Sequence, residues 1–326
     1  MALLSIIIPI YNAGGRLSKL LDSLCNQTLQ DIEFICIIDS PTDGSDKIVV
    51  DYSMNDTRVI PIFNKMNMGI AASRNRGIQE AINRKSQYIG FADHDDYLET
   101  NAYEMMICAA NDKIGGADVV FANAIIEREL DLREVYFNDS TWDGIIKSLL
   151  LPMESKGNPN YLARSVWNRI YKTSFIANNN IRFFDRNIYF EEDTLFNLQV
   201  HLKSKNIQYL NECVYHWVKY ETSTSEIVGS HDNEAEKILT FLLQEWRILT
   251  RSEQHKFKVY FHVMLSSFLR RYYSVIKRKN NEYKHELAKL LRDSSFPILG
   301  RYENMKIISL IRIKLLLLVL RMKINM

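Results

Sequence analysis

Tyr88-Ile89-Gly90-Phe91-Ala92-Asp93-His94-Asp95-Asp96 runs from an apolar segment straight into three carboxylates within four residues. An apolar run with no polar position inside it is the pattern of a strand buried on both faces. Strands of that kind belong to parallel sheets covered by helices, and ligands of such sheets gather beyond the carboxyl ends of the strands. The acids after Ala92 therefore stand where a ligand is expected.

The same pattern recurs on the N-terminal side, at residues 5–8, 34–38 and 59–63. Between these runs, Leu17, Leu20, Leu21 and Leu24 follow helical spacing, as do Ile70, Arg74, Ile78 and Ile82 with Ala71 and Ala72 among them. Strands alternating with helices predict an α/β fold with a mostly parallel sheet flanked by helices. The polar residues after each strand are then predicted to converge on one rim: Tyr11 and Asn12, Asp39, residues 64–69, and residues 93–96.

From about residue 138 the alternation weakens, and residues 158–172 and 181–198 mix aromatics with charge, as a wall completing an active site would. The main domain is expected to close near residue 225. Beyond 232, Leu239, Leu242, Leu243, Trp246 and Leu249 lie on one stripe with few turn signals before Pro297, which predicts a helical extension over 226–326. A chain of 326 residues that is 47% hydrophobic supports this division into one large core and an appendage.

The formal net charge is only +2, but residues 241–326 hold 18 Lys and Arg against 6 Asp and Glu. A basic tail behind an acidic front suits a cation-assisted site in front and an anionic surface behind. Arg270, Arg271, Lys277, Arg278 and Lys279 form one basic cluster, and residues 307–324 mix leucine and isoleucine with Arg312, Lys314, Arg321 and Lys323. That last stretch is too interrupted to span a bilayer. Two readings stand for it: a helix lying on an anionic membrane surface, or a terminal helix packed on its neighbours. No nucleic-acid motif accompanies the basic residues, so nucleic acid is not the expected partner.

The cysteines Cys25, Cys36, Cys108 and Cys213 show no paired spacing, and Met1 to Tyr11 lacks a basic leader and contains Pro9. Reduced, mostly buried thiols and a cytoplasmic protein, one that could sit peripherally on the inner face of the cell membrane, are the expectation. Neither GxGxxG nor GxxxxGK[ST] is present, so phosphate binding is arranged otherwise than in a dinucleotide fold or a P-loop enzyme.

Four groups of residues carry candidate chemistry. Asp93, Asp95 and Asp96 would repel one another unless a cation sits between them, and oxygen-only ligands favour Mn2+ or Mg2+, which can bridge the phosphates of a nucleotide sugar. The alternative is a solvated helix start, where Asp is a favourable cap. Asp39, directly after a buried strand, could accept a hydrogen bond from a nucleobase or serve only as a turn aspartate. Arg74, on a segment with Asn67, Gly69 and Ala72, could face a diphosphate or sit in an ordinary helix. Glu191, Glu192 and Asp193 precede an apolar helix, where partial burial would raise a carboxyl into the range of a general base, or where acids simply favour the helix dipole.

Taken in order, these residues resemble the family 2 glycosyltransferases of the GT-A fold over roughly residues 4–225. Ser5-Ile6-Ile7-Ile8-Pro9-Ile10-Tyr11-Asn12 is similar to the family's opening strand. Asp39-Ser40-Pro41-Thr42-Asp43-Gly44-Ser45 resembles its Asp-Gly-Ser signature, with Ser40 and Pro41 replacing Gly-Ser. Asn67-Met68-Gly69 followed by Ala72-Ser73-Arg74-Asn75-Arg76-Gly77 resembles a third element, and Asp93-His94-Asp95-Asp96 resembles the family's Asp-x-Asp-Asp.

The resemblance implies nucleotide contacts from Pro9, Tyr11, Asn12, Asp39, Asn67, Gly69, Arg74 and Asp93, with Arg76 facing solvent. It implies a metal on Asp95 and Asp93, and Asp193 as catalytic base supported by Glu192. Trp167 to Lys172 resembles acceptor-side structure, and Tyr215-His216-Trp217 a closing element; the Gln-x-x-Arg-Trp motif of processive synthases is absent.

The implied reaction is an inverting transfer from a UDP-linked sugar to a hydroxyl of a glycan or lipid-linked acceptor in cell-surface polysaccharide synthesis. The alternatives are a catalytically silent nucleotide-sugar-binding scaffold and a sugar-phosphate nucleotidyltransferase.

Overall fold

The computed structural model of the chain describes residues 1–112, 115–128, 131–137, 139–150, 160–184, 192–204, 206–220 and 250–252. Met1–Leu149 and Ser155–Val228 form one compact unit, and Leu150–Glu154 with Gly229–Met326 form a second. The expected helical extension, its basic cluster and the stretch 307–324 lie outside the described residues, apart from 250–252. Among the described residues no helix is long and apolar enough to cross a membrane.

The first half of the large unit alternates as its sequence pattern predicts: β1 (Leu4–Ile10), α1 (Arg16–Cys25), β2 (Ile32–Ile38), α2 (Ser45–Asn55), β3 (Val59–Phe63), α3 (Ile70–Asn83) and β4 (Tyr88–Phe91). Strands β3, β2, β1 and β4 lie side by side and all parallel. Every residue of β1 is buried, which explains its unbroken apolar run. Ile6, Ile8 and Ile10 face the core shared with Leu17, Leu20, Leu21 and Leu24 of α1, whereas Ile7 faces the core shared with Ala71, Ile78 and Ala81 of α3. Burying the four α1 leucines is worth about 2 kcal/mol each against exposure.

Gly77 sets how closely α3 approaches the sheet. A methyl group there would lie 2.2 Å from Ile7 Cγ2, so only glycine lets the helix rest on β1 at this distance. Arg74, one turn earlier on α3, is carried to the sheet by the same close approach.

The second half comprises β5 (Tyr97–Leu98), α4 (Ala102–Asn111), β6 (Val119–Arg128), β7 (Asp131–Val135), α5 (Trp142–Leu150), α6 (Asn160–Arg164), β8 (Arg169–Lys172), α7 (Thr173–Asn178), α8 (Glu192–Lys203) and β9 (Ile207–Val218). It extends the sheet in the order β4-β8-β6-β9-β5, with β7 paired to β6. Here β8 runs antiparallel to β4 and β6, and β5 to β9, while β6 and β9 pair in parallel. The β5 and β9 pairing sets Tyr97 opposite His216 and Leu98 opposite Tyr215, so a late strand reaches the acidic turn that follows β4.

All four cysteines are free, but only Cys36 is fully buried; Cys25 and Cys213 are half-buried and Cys108 is exposed. The expectation of mostly buried thiols thus holds for the one that lies inside a central strand.

Candidate active site

The carboxyl ends of β1, β2 and β3 meet around Asp39. Its side chain is 3% exposed and is held from three directions by its own chain: Oδ1 accepts from Asn64 Nδ2 at 2.6 Å and Met68 N at 2.8 Å, and Oδ2 accepts from Gly69 N at 2.8 Å. Asp39 therefore shapes the loop leading into α3, and the lone-pair capacity left on Oδ2 is what remains for a bound base. Gly69 takes φ 85°, a conformation that favours glycine, at the N-cap of α3. Asn67 is exposed and accepts from the Gly69 amide at 3.1 Å.

Tyr11 is exposed beside Asn12, which has φ 48° and accepts from Thr42 N at 2.8 Å, linking the ends of β1 and β2. Pro9 is buried in β1, and its carbonyl lies 3.3 Å from His94 Nδ1. Arg76 does not face solvent: it is half-buried and donates to Phe63 O at 2.7 Å and to the Asn64 side chain, securing the corner that presents Asn64 to Asp39.

The acidic residues assemble around Arg74, which is 1% exposed. Its Nη2 donates to Asp93 Oδ1 at 2.8 Å, its Nη1 donates to Asp193 Oδ1 at 2.5 Å, and Glu192 Oε1 lies 3.8 Å from Nη1. Arg74 thus joins the turn after β4 to the start of α8 across a long stretch of chain.

Burial pushes the Glu192 carboxyl up to about 8, with Asp193 adding to the rise and Arg74 opposing it. Burial likewise raises Asp193 to about 6, while the Arg74 charge, the Arg74 hydrogen bond and the Val166 amide pull it down. The expectation that partial desolvation would raise at least one of the acids at 191–193 matches Glu192 and Asp193, Glu191 lying outside the described residues, and the cation that moderates the rise is Arg74.

Of the three acids after Ala92, Asp96 leaves the group. It is 2% exposed, its Oδ2 accepts from the Tyr215 hydroxyl at 2.9 Å, its Oδ1 accepts from Val218 N at 2.8 Å, and burial pushes its carboxyl well up. Asp93 and Asp95 remain at the surface of the site. Burial raises the Asp95 carboxyl, His94 pulls it back, and Asp93 raises it further.

Among the described residues, no group of three or more His, Cys, Asp and Glu side chains is gathered to hold a metal by protein alone. Mg2+ and Mn2+ are commonly held by one or two carboxylates together with substrate phosphates. Asp93 and Asp95 fit that donor set, because a cation shared with a diphosphate would offset both the burial of Asp95 and the repulsion that Asp93 adds to it.

Other residues in the predicted acceptor-side stretch serve the core. Arg169 is fully buried, donates to the carbonyls of Leu162, Ala163 and Ser165, and has Nη1 2.9 Å from His201 Nε2. Asn168 is buried against the Ala122 carbonyl. His216 stacks on Tyr97 at 4.1 Å and pairs with Glu99 at 2.7 Å. Tyr215, read in the sequence only as part of a closing element, accepts from Asp93 N at 3.0 Å through its hydroxyl; its place on a strand gave no sign of a partner so distant in the chain.

A parallel half-sheet with carboxylates beyond β4, met by a second carboxylate pair opening α8, defines the GT-A architecture of nucleotide-sugar transferases. Residues 5–158 match the profile of glycosyl transferase family 2. It is 31% identical over 218 residues to cholesterol galactosyltransferase of Borreliella burgdorferi, covering 65% of this chain and 58% of that protein. It is 28% identical over 218 residues to glycosyltransferase GlyA of Streptococcus pneumoniae, covering 65% of this chain and 30% of that one. The chain thus spans less than two thirds of either relative. The structure of S. aureus TarS residues 1–349 in complex with UDP-GlcNAc shares the fold, with a TM-score of 0.66 at 21% identity over 90% of this chain and 82% of that one.

Proposed function

We propose that this protein transfers a glycosyl group, with inversion, from a UDP-linked sugar to a hydroxyl of a glycan or lipid-linked acceptor in cell-surface polysaccharide synthesis. The observation that carries the reading is the Arg74 bridge, which gathers Asp93 on the donor side and Asp193 on the acceptor side around one buried cation. Single displacement needs donor and base held together in this manner.

In this reading the rim around Asp39, with Pro9, Tyr11, Asn12, Asn67 and Gly69, receives the nucleotide. Asp93 and Asp95 would hold Mn2+ or Mg2+, which supplies Lewis-acid assistance to departure of the diphosphate. Asp193 accepts the proton of the attacking hydroxyl, and its raised carboxyl suits it to do so near neutral pH. Glu192, protonated over much of that range, holds a proton beside Asp193 instead of a second full negative charge. Arg74 keeps the two sides in register.

A cytoplasmic setting, with the basic segment 226–326 resting on an anionic membrane, places the site near lipid-linked acceptors. Sedimentation of the full chain with anionic vesicles, lost on removal of 307–326, is the expected result for that part.

The reading as a whole is tested with a panel of nucleotide sugars in thermal-shift and hydrolysis assays, run with Mn2+ and then with EDTA. One UDP-sugar should stabilise the protein and be hydrolysed only with the metal present. Stabilisation without turnover across acceptors would favour a silent scaffold, and no response to any donor would sink both readings. Release of pyrophosphate from a nucleoside triphosphate and a sugar phosphate would instead identify a nucleotidyltransferase.

A further inference from the structure

We propose that Tyr215 and Trp167 form a positioning strut that sets the donor-side acidic turn and the acceptor-side base from one aromatic stack. The inference rests on the reading of Asp93 and Asp193 given above and assigns to these two residues a role in that site.

The hydroxyl of Tyr215 is used twice. It donates to Asp96 Oδ2 at 2.9 Å and accepts from the Asp93 amide at 3.0 Å, so one oxygen fixes both ends of the turn closed by Asp96 N on Asp93 O at 3.2 Å. Asp96 also receives the Val218 amide, so the turn is tied to β9 at two points along that strand. Buried polar groups satisfied in this way define one geometry, because any displacement leaves a desolvated group without a partner.

The ring of Tyr215 serves the other side. Trp167 stacks on it with centroids 4.4 Å apart and planes at 18°, and Trp217 lies 6.0 Å from Trp167. Trp167 is 6% exposed, so the stack is shielded from water. Its neighbour Val166 has its backbone amide close enough to Asp193 to hold that carboxyl down. Asp93 and Asp193 are therefore linked through Tyr215, Trp167 and Val166, in addition to the direct bridge through Arg74. Two routes between the same carboxylates fix both their separation and their orientation, which a single guanidinium leaves free to rotate.

The roles of the two aromatics are separable. Tyr215→Phe keeps the stack and removes both hydroxyl bonds, so it acts on the donor turn. Trp167→Phe keeps the turn and weakens the stack, so it acts on the base.

The test uses the full chain with UDP and MnCl2 in calorimetry, transfer kinetics with the donor found above, and amide hydrogen exchange. Tyr215→Phe is expected to weaken Mn2+-dependent UDP binding by about ten-fold, the scale seen when a residue supporting a metal ligand is lost. It should also speed exchange at the Asp93 amide. Trp167→Phe is expected to lower kcat by about ten-fold with UDP affinity within about two-fold of wild type, and to speed exchange at Val166.

Parallel changes of affinity and kcat in both variants, in proportion to lost thermal stability, would overturn the strut, as would unaltered exchange at Asp93 and Val166. Should the wild type bind no nucleotide at all, the proposed function falls, and the exchange rates still decide whether the strut exists. Either variant alone tests its own half if the other does not fold.

Discussion

Arg74 and Asp193 lie 119 residues apart in the chain, and their side chains meet at 2.5 Å. The arginine is fully enclosed while the carboxylate keeps some exposure. Removing the cation would leave Asp93, Glu192 and Asp193 facing one another with nothing to offset their charge.

Arg74→Ala is therefore expected to cost about 3 kcal/mol at pH 8, the scale for breaking a buried pair on one side only. The loss should shrink at pH 5, because the freed carboxyls rise further and take up protons. Urea unfolding at the two pH values reads both numbers, and equal losses at the two would contradict the account.

Glu192 gives a pH dependence of defined sign. Its folded value, raised to about 8, lies above its ordinary value of 4.5, so the folded protein binds the extra proton between them. The stability it contributes is present below about 4.5 and is lost as pH rises through about 8. Glu192→Gln should unfold at a higher temperature than wild type at pH 9 and at nearly the same temperature at pH 4. The transfer rate should fall as pH drops through about 6, where Asp193 takes up its proton.

How much of this was legible in the sequence follows from how local each signal is. The strand of 88–91 and the acids after it are contiguous, and so are the Asp39 turn and the acids that open α8; contiguous patterns survive without knowledge of the fold. Arg74 meets Asp193, and Tyr215 meets Asp96, across more than a hundred residues of chain, and no periodicity encodes which carboxylate an arginine will meet. Arg76 was misplaced for a related reason. A helical position near the surface reads as solvent-facing, but a long side chain can fold back to cap a neighbouring corner, as Arg76 does on Phe63 and Asn64.

Gly77→Ala places a methyl group against Ile7, and the neighbouring atoms are side-chain carbons of a fully buried residue of a central strand. The cost is expected to be about 2 kcal/mol, the middle of the range for overpacking. Since α3 must lift away from β1, Arg74 moves with it, and kcat should fall beyond what the stability loss explains. Ile7→Ala removes both γ carbons that the methyl would meet, so the double variant should lose less than the sum of the two single variants, and strictly additive effects would show that the two residues do not meet.

Asp95 tests the proposed metal role. Asp95→Ala should abolish the difference between Mn2+ and EDTA in UDP binding measured by calorimetry, while the melting temperature without ligand holds or rises, because a desolvated carboxyl raised by burial and Asp93 has been removed. Retained Mn2+ dependence would move the cation elsewhere.

Asp39 separates loop-building from nucleotide contact. In Asp39→Asn, the remaining side-chain oxygen can still accept from Asn64 and Met68, but the new amide group would face the Gly69 N–H, donor against donor. A buried donor left without an acceptor costs about 1–3 kcal/mol. Asn67 Oδ1 still accepts from Gly69 N at 3.1 Å, so the unsatisfied donor is the new amide, and its clash with Gly69 N–H pushes the start of α3 away. Donor KM should therefore rise more than kcat falls, and chemical denaturation should show a loss in the same range. If stability holds while KM rises, Asp39 touches the nucleotide and the loop does not depend on it; if stability falls with KM unchanged, its whole role is to build the loop.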